Sequence, residues 1–324
     1  MSIKNWNAAT GSFMVSRNWS SLNAPVAGDD LYLQSGTAIL AHRTLGSAAA
    51  ITTIGLIGAT AASAPVLVLQ DITLKNVKLS EAPPHYQGPV GASPPGYYAA
   101  KFGMIWIKDT VTNDGGMIEG GRDSLGPATG LKILLNPGAA LINKGTLAAF
   151  PAGQLTVSGS GAARVQNDGS INALGGKVII STHLTGVGSI STSNSGGGGY
   201  SGSVEVNAAV DAGQTFHISQ GSLQIDQPLK FLGKIDLGAS QLAGTVRLEG
   251  LNAASWDVKG SLLELFNAAG TFIGSLQFTT QQSKATLVVS NLPDPSYGHA
   301  VSVTASHSSG PSSTSVGVLP YHGA

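Results

Sequence analysis

The chain has 324 residues, of which only 10% are Asp, Glu, Lys or Arg and 44 are glycine. So few charges exclude a protein built from long solvated helices, because such helices normally carry Glu, Lys and Arg on their outer faces. The 17 basic and 17 acidic side chains balance to a formal charge of zero, which excludes the basic surface of a nucleic-acid-binding protein. Cysteine is absent, so disulfides, thiolate metal sites and cysteine nucleophiles are excluded as well.

The first segment of the chain, 1–30, is predicted to form an N-terminal cap. Trp6, Phe13 and Trp19 are large enough to cover the first turn of a repeat-built protein, whose end must not expose an open strand edge. This segment lacks the apolar run and cleavage site of a secretory signal, so we expect no classical export. The uncharged stretch 44–70 contains Gly, Pro, Ser and Thr, which favours buried strands over a membrane span.

A body is predicted from residue 31 to residue 250, with a loop inserted at 81–103. The loop contains two Pro-Pro pairs and three tyrosines, Tyr86, Tyr97 and Tyr98. Tyrosines offer rigid amphipathic faces, and we expect these three to contact a ligand or partner, either a sugar or a protein. The alternative is a loop that folds back over the flank of the body.

A turn-like element recurs in the middle of the chain, with Asn two residues before Gly and an apolar residue shortly after. Gly145, Gly169 and Gly188 follow one another at roughly 20–25 residues, which is the length of the shorter single repeats in solenoid proteins. Short runs of strand type separate these turns: Lys132 to Leu135, Gln154 to Val157, Lys177 to Ile180, and Ser203 to Val206. Each repeat therefore reads as strand, turn, strand, turn.

The pattern predicts an all-β fold, a parallel β-solenoid of the right-handed β-helix type. Stacking the repeats at roughly 4.8 Å pairs every backbone edge and builds one continuous core. Asn143 and Asn167 are then expected to form an internal ladder, since amides hydrogen-bond to their neighbours in successive layers. The alternative fold is an antiparallel β-sandwich in which each Asn-Gly step is a hairpin turn.

The end of the chain differs from the middle in the length of its apolar segments and in its composition. Residues 251–290 form a predicted C-terminal β region with longer amphipathic segments, either a last set of coils or a small β-sandwich. Residues 291–324 are rich in Ser, Gly and Pro, a composition typical of disorder. We expect this C-terminal arm to be held by a neighbouring subunit or a partner.

Two stretches carry a family likeness. The first contains Trp6, Asn18-Trp19-Ser20, Pro25 and Gly28-Asp29-Asp30-Leu31-Tyr32-Leu33. The second, residues 204–278, contains Val206, Val210, Gly213-Gln214-Thr215-Phe216, Leu223-Gln224-Ile225-Asp226, Pro228, Phe231, Gly233-Lys234-Ile235, Trp256-Asp257-Val258 and Gly270. These stretches resemble the opening and closing parts of β-helical passenger modules in bacterial autotransporter-like adhesins. A protein of this fold without a secretory signal also resembles phage particle proteins such as tailspikes, fibres and capsid decorations.

The resemblance implies a non-enzymatic structural or adhesive protein of an external assembly, foremost a phage virion component that makes subunit or host-surface contacts. It implies a virion or extracellular location and a homo-oligomer, with a trimer expected by analogy. The partners expected are other virion or surface proteins and a cell-surface glycan. We expect neither nucleic acid, membrane insertion, metal nor cofactor.

Two other functions stay open, a bacterial surface adhesin or lattice protein and a polysaccharide depolymerase. For the depolymerase, the candidate catalytic residues are Asp114, Glu119 and Asp123, because glycoside cleavage needs a proton donor and a base or nucleophile at a defined separation. The alternative is that these acids are solvated turn residues beside glycines. The histidines are scattered without ligand spacing.

Overall fold

A computed structural model of the chain describes residues 3–26, 29–47, 52–56, 64–80, 102–121, 129–194, 200–238, 244–282 and 286–305. The described part of the chain is all-β, with 63% of its residues in strands and 2% in helices, as the sequence predicts. The helical residues form two short 3₁₀ turns, Ser16–Asn18 and Pro228–Lys230.

Twenty-nine strands are described. The first seven are β1 (Ile3–Asn5), β2 (Thr10–Ser12), β3 (Asp30–Leu33), β4 (Thr37–Gly46), β5 (Thr52–Leu56), β6 (Val66–Lys75) and β7 (Val77–Ser80). The next twelve are β8 (Phe102–Ile107), β9 (Thr110–Asp114), β10 (Met117–Gly120), β11 (Thr129–Leu135), β12 (Ala140–Asn143), β13 (Thr146–Ala149), β14 (Gly153–Gly159), β15 (Arg164–Asn167), β16 (Ser170–Leu174), β17 (Lys177–Ser181), β18 (His183–Thr185) and β19 (Ser189–Ser193). The last ten are β20 (Ser203–Val206), β21 (Thr215–Ile218), β22 (Ser222–Ile225), β23 (Lys234–Asp236), β24 (Thr245–Glu249), β25 (Ser255–Lys259), β26 (Leu262–Phe266), β27 (Phe272–Phe278), β28 (Leu287–Asp294) and β29 (Gly298–Ala305).

The strands form two long sheets with mostly parallel pairing. One sheet has 13 strands in the order β1-β3-β5-β7-β10-β13-β16-β19-β21-β23-β27-β26-β25. The other has 16 strands, and 14 of them follow the order β18-β15-β12-β9-β6-β8-β11-β14-β17-β20-β22-β24-β29-β28. The remaining two branch off at β6: β4 pairs with β6, and β2 pairs with β4. From β7 to β24 the chain thus alternates between the two sheets. Two strands that pair within a sheet are therefore separated by about one predicted repeat in the sequence.

The predicted repeat lengths appear in the strand register. Leu147 pairs with Ile171, and Ile171 pairs in turn with Ile190, so the steps between partners equal the predicted steps from Gly145 to Gly169 to Gly188. The three paired side chains are buried. The four predicted strand runs fall in β11, β14, β17 and β20, which are neighbours in the larger sheet. At these positions the pairing is parallel, so the Asn-Gly steps are not the hairpin turns of an antiparallel sandwich.

One buried apolar row runs the length of each sheet. In the larger sheet, register neighbours form the row Ala38, Leu67, Ile105, Ile133, Val157, Ile180, Val206, Ile225, Leu248 and Val301. In the smaller sheet, the row is Leu31, Ile54, Leu79, Ile118, Leu147, Ile171, Ile190, Phe216, Ile235 and Phe278. Because side chains alternate along a strand, one residue in two faces this continuous core.

The larger sheet bends into two arms. Strands β4 and β6 are ten residues long, and each contains a residue with a left-handed backbone at its centre, His42 (φ 52°) and Asp71 (φ 49°). The first half of β6 pairs with β8 and its second half with β9. The bend therefore splits the larger sheet into a β8–β24 arm and a β9–β18 arm.

The three aromatic side chains of the N-terminal segment pack against one another. Trp19 lies edge-on to Trp6 (5.3 Å between ring centroids) and to Phe13 (5.0 Å), and its indole N–H donates to the Phe13 carbonyl. All three are buried. Lys4 and Asp29, also buried, form an ion pair of 2.5 Å beside them. Strands β1 and β2 pair with β3 and β4, so this cluster lies at the N-terminal end of both sheets.

The C-terminal region extends both sheets with antiparallel strands. β25, β26 and β27 form a three-stranded antiparallel unit that joins the smaller sheet through β23, and the hairpin β28–β29 joins the larger sheet through β24. Strand structure thus continues past Asn291, where the predicted arm begins. The strand forms because Ala300, Val301 and Val303 bury apolar side chains. The high overall content of Ser, Gly and Pro in 291–324 makes this short apolar run hard to recognise from composition. Residues 306–324 lie outside the described residues.

The predicted asparagine ladder is present and longer than expected. Asn113 Nδ2 donates to Asn143 Oδ1 (2.8 Å), Asn143 Nδ2 donates to Asn167 Oδ1 (2.8 Å), and Asn167 Nδ2 donates to Gln214 Oε1 (2.9 Å). Gln214 then donates to the carbonyls of Asn167 and Thr185. All four amide side chains are fully buried. An amide both donates and accepts, so each member of the row pairs with the next inside an apolar core. At the end of the row, Asn113 Oδ1 is buried without a hydrogen-bond partner among the described residues.

We expect Asn143→Ala to lower the free energy of unfolding by about 2–4 kcal/mol, because it leaves buried amide groups of Asn113 and Asn167 unpaired. Urea unfolding followed by circular dichroism measures the loss. Asn172→Ala is the matched control, since Asn172 lies on β16 of the smaller sheet, is half-buried and hydrogen-bonds to serine hydroxyls. This variant should lose less than about 1 kcal/mol of unfolding free energy. Equal losses for the two variants would contradict a special role for the ladder.

Candidate functional site

The structure separates the two described carboxylates of the predicted catalytic set. Asp114 ends β9 in the larger sheet and is half-buried, whereas Glu119 lies in β10 of the smaller sheet. A turn with two glycines connects the two strands. Asp123 lies outside the described residues, as do Tyr86, Tyr97 and Tyr98 of the predicted contact loop.

Glu119 is buried in an ion pair. Its Oε1 lies 2.9 Å from Lys78 Nζ, and its side chain is only 1% exposed. Its register neighbours Ser80 and Ala148 are buried too, although they face away from the core row of Leu79, Ile118 and Leu147. A cavity of about 330 Å³ borders Lys78, but Glu119 is not among its lining residues. A carboxylate held this way fastens neighbouring strands and does not face open solvent.

A different cluster of charged groups lies where the hairpin β28–β29 meets β24. Arg247 and Glu249 stand two residues apart on β24, and therefore on the same face of the strand. Arg247 Nε lies 2.5 Å from Glu249 Oε1, and Arg247 Nη2 contacts Asp294 Oδ2 on β28. One guanidinium thus holds two carboxylates from different strands.

The turn between β28 and β29 completes the cluster. Asp294 Oδ1 accepts hydrogen bonds from the backbone N–H groups of Ser296 (2.7 Å) and Tyr297 (2.6 Å). The Tyr297 hydroxyl donates to Asp226 Oδ2 (2.9 Å), at the end of β22. The Tyr297 side chain is half exposed, so it presents an aromatic face to solvent beside three carboxylates.

The two carboxylates held by Arg247 have pKa values shifted in opposite directions. Burial raises the pKa of Glu249, against the opposing effect of Arg247, and the neighbouring Asp294 charge raises it further. The backbone N–H of Tyr297 lowers the pKa of Asp294, with smaller contributions from Ser296 and Arg247. Hydrogen bonding to Asp226 raises the pKa of the Tyr297 hydroxyl.

This arrangement has two chemical capacities. As an ion-pair network it ties the antiparallel hairpin to the parallel sheet through Arg247. As a pair of carboxyl groups with diverging pKa values, Glu249 and Asp294 resemble in principle the acid and base of a hydrolytic site. Glu249 Oε2 is buried and lacks a hydrogen-bond partner among the described residues, in keeping with the raised pKa of this carboxyl group.

Sequence reasoning missed this cluster. The Arg-x-Glu spacing on β24 signals a shared strand face, but Asp226 and Asp294 belong to segments that are far apart in the sequence. Only the antiparallel return of the chain through β28 and β29 brings these two carboxylates together.

Three histidines in the described part of the chain each pair with one aspartate, and the first of them is His42, whose Nδ1 lies 3.1 Å from Asp71 Oδ2. His183 Nε2 lies 2.9 Å from Asp211 Oδ1, and His217 Nδ1 lies 3.1 Å from Asp236 Oδ2. Among the described residues no group of three or more His, Asp or Glu is arranged to hold a metal ion. Over the same residues, no helix has the length and apolar character needed to cross a membrane.

A scan against protein-family models finds no match for the sequence, and a search of curated proteins finds no significant similarity.

The cluster generates a prediction about pH. A raised pKa means that the folded chain binds the Glu249 proton more tightly than the unfolded chain does. Ionised Glu249 therefore lowers the free energy of unfolding, and this loss develops as the pH rises from the ordinary pKa of 4.5 through the pKa of the folded chain. We therefore expect the Tm of Glu249→Gln, relative to the unsubstituted protein, to rise between pH 4 and pH 8.

Asp294→Asn is expected to behave in the opposite way. Its lowered pKa stabilises the folded chain above the ordinary value of 3.8, and that contribution disappears as the pH falls through the folded value. The variant should thus have a Tm deficit at pH 7 that shrinks below pH 4. Thermal scans by calorimetry across this range measure both variants, and pH-independent differences would refute the assignment.

Proposed function

We propose that the chain folds as a parallel β-solenoid and serves as a non-enzymatic structural or adhesive component of an external assembly, foremost a phage particle. The observation that carries the proposal is the unbroken pairing of strands along both sheets, from β1 to β27 and from β4 to β29. An array in which each layer contacts only its neighbours makes an extended body, well suited to bridging and display.

The surface chemistry supports a structural role. With 10% charged residues and no net charge, the outward positions of the strands carry Ser, Thr, Asn and Gln. Such a surface binds neighbours by shape and hydrogen bonds, since long-range attraction to a charged polymer is absent. The likeness of residues 1–33 and 204–278 to β-helical modules of adhesins and phage particles favours the same class. A homo-oligomer, trimeric by analogy, follows from that likeness.

Immunogold labelling tests the proposal. Antibodies against the purified chain are applied to intact producing cells and to the particles that these cells release on lysis. We expect gold on the particles, at projections about 60 Å long, because 13 strands at roughly 4.8 Å span that distance. Gold on intact cells before lysis would instead indicate the surface adhesin or lattice protein, and gold on neither would reject the proposal.

A second candidate function, polysaccharide cleavage, is favoured by one observation, the opposite pKa shifts of Glu249 and Asp294. In that reaction one carboxyl group donates a proton to the leaving glycosidic oxygen and the other acts as base or nucleophile. The Glu249 side chain is only 1% exposed, so this reaction requires the hairpin β28–β29 to move before Glu249 can reach a sugar. The exposed Tyr297 ring beside them offers a surface for a sugar ring.

Incubation with host surface polysaccharide, followed by chromatography of the soluble products, separates the two functions. The structural proposal expects no oligosaccharide release. Cleavage at the Arg247 cluster predicts release that falls at least about 100-fold in Glu249→Gln and in Asp294→Asn. Asp114→Asn is the matched control, because Asp114 lies outside the cluster and its loss should leave the rate unchanged.

A further inference from the structure

A cleft lined by alanines and asparagines opens near the C-terminal end of the two sheets, between segments that belong to both of them. Its walls are the link from β24 to β25, the turn from β26 to β27, and β28. The lining residues are Asn252, Ala253, Ala254, Asn267, Ala268, Ala269 and Asn291. Its volume is about 620 Å³, within the range of roughly 300–1,000 Å³ that is usual for small-molecule sites.

Asn291 holds the cleft in shape. Its Nδ2 donates to the Ala253 carbonyl (2.7 Å) and to Asn252 Oδ1 (3.2 Å), and its Oδ1 accepts from the Ala253 N–H (3.3 Å). The link between the sheets is thereby fastened to β28. The backbone N–H of Ala254 adds a hydrogen bond of 2.8 Å to the Phe266 carbonyl. The three walls are thus fastened to one another before any ligand arrives, which lowers the entropy lost on binding.

Two amide side chains, Asn252 on the link and Asn267 on the turn, are oriented but keep their NH₂ donors free. Asn252 Oδ1 is occupied by Asn291, and Asn267 Oδ1 accepts the N–H groups of Ala269 (3.0 Å) and Thr271 (2.9 Å). In the described part of the chain, neither Asn252 Nδ2 nor Asn267 Nδ2 donates a hydrogen bond. Each side chain is therefore anchored through its oxygen, with its NH₂ group available to a ligand.

The chemistry of the lining selects the ligand class. None of the seven lining residues is charged, so a charged ligand would find no counter-ion there. The exposed methyl groups of Ala268 and Ala269 form a shallow apolar surface that accommodates the C–H face of a sugar ring, while the two amides can donate to its hydroxyl oxygens. We infer that the cleft bordered by Asn252 and Asn267 binds an uncharged oligosaccharide.

This inference goes beyond the structural role, and the two can fail separately. Labelling of particles does not depend on the cleft, and sugar binding does not depend on where the protein resides. A sugar site at the end of the body, distinct from the Arg247 cluster, gives an adhesive component a specific contact with a surface glycan. Asn291 and Asp294 differ by three positions on β28, so their side chains point to opposite faces of the strand.

Titration calorimetry and NMR with the full chain test the inference. The probes are maltohexaose, cellohexaose, mannohexaose and chitohexaose with N-acetyl groups retained, with polygalacturonate fragments and the capped peptide Ac-(Gly-Ser)₃-NH₂ as comparisons. We expect at least one neutral oligosaccharide to bind with a Kd below about 10 mM, typical of weak single-site binding. Its addition should shift the side-chain amide signals of Asn252 and Asn267.

Two variants locate the site. Asn252→Ala removes one free donor, and Asn267→Asp removes the other while keeping the oxygen that holds its turn. Each should weaken binding about three- to tenfold, the effect of one neutral hydrogen bond, with Tm unchanged within about 2 °C. Asn172→Ala, far from the cleft on β16, is the control and should bind normally. Three results would overturn the inference. They are no binding of any of the four neutral sugars, tighter binding of the peptide or the charged fragments than of the sugars, and undiminished sugar binding by both variants.

Discussion

The close approach of successive layers at one corner constrains the rest of the structure. At that corner Asn113, Asn143 and Asn167 stack through their amides, and the glycine two or three residues later packs against the glycine of the layer before it. A Cβ on Gly145 would lie 2.2 Å from the Gly116 carbonyl oxygen, and a Cβ on Gly169 would lie 2.2 Å from the Gly145 carbonyl oxygen. No larger residue fits without displacing backbone, so the amide ladder and the glycine contacts together fix the register between layers.

A fixed register at this point determines which side chains of the flanking strands face the core. A slip of one residue in a parallel pair would turn every core side chain outward, and both apolar rows would be lost together. The same alignment places polar residues on the outer face in matched rows, as in the hydroxyl contact between Thr146 and Ser170 (3.1 Å). Core and surface thus follow from one alignment, which explains how a chain with few charges and no cysteine holds so many strands in order.

The sequence predicted the middle of the protein well because the information there is local. The Asn-x-Gly steps, the spacing between their glycines and the four strand runs each lie within one layer, and each was confirmed in place. Gln214 was missed as the last member of the ladder because it is a longer amide outside the Asn-x-Gly pattern. The Arg247 cluster and the amide cleft were missed for a different reason. Both depend on antiparallel strands that return along the sheet, and such a return produces no repeating residue pattern in the sequence.

The change from parallel to antiparallel pairing at β24 has a functional consequence. Within the parallel region the strands follow one another in register, and the cavity beside Lys78 has a volume of about 330 Å³, about half that of the C-terminal cleft. Past Glu249 the two sheets are extended by separate units, β25–β27 and β28–β29, joined by the link that contains Asn252 and Ala253. Two units that meet through a short link and one clamping amide leave a gap between them, and this gap is the cleft. The proposed sugar site therefore lies where the parallel pairing stops and a side chain no longer has to match a register neighbour in the next parallel strand.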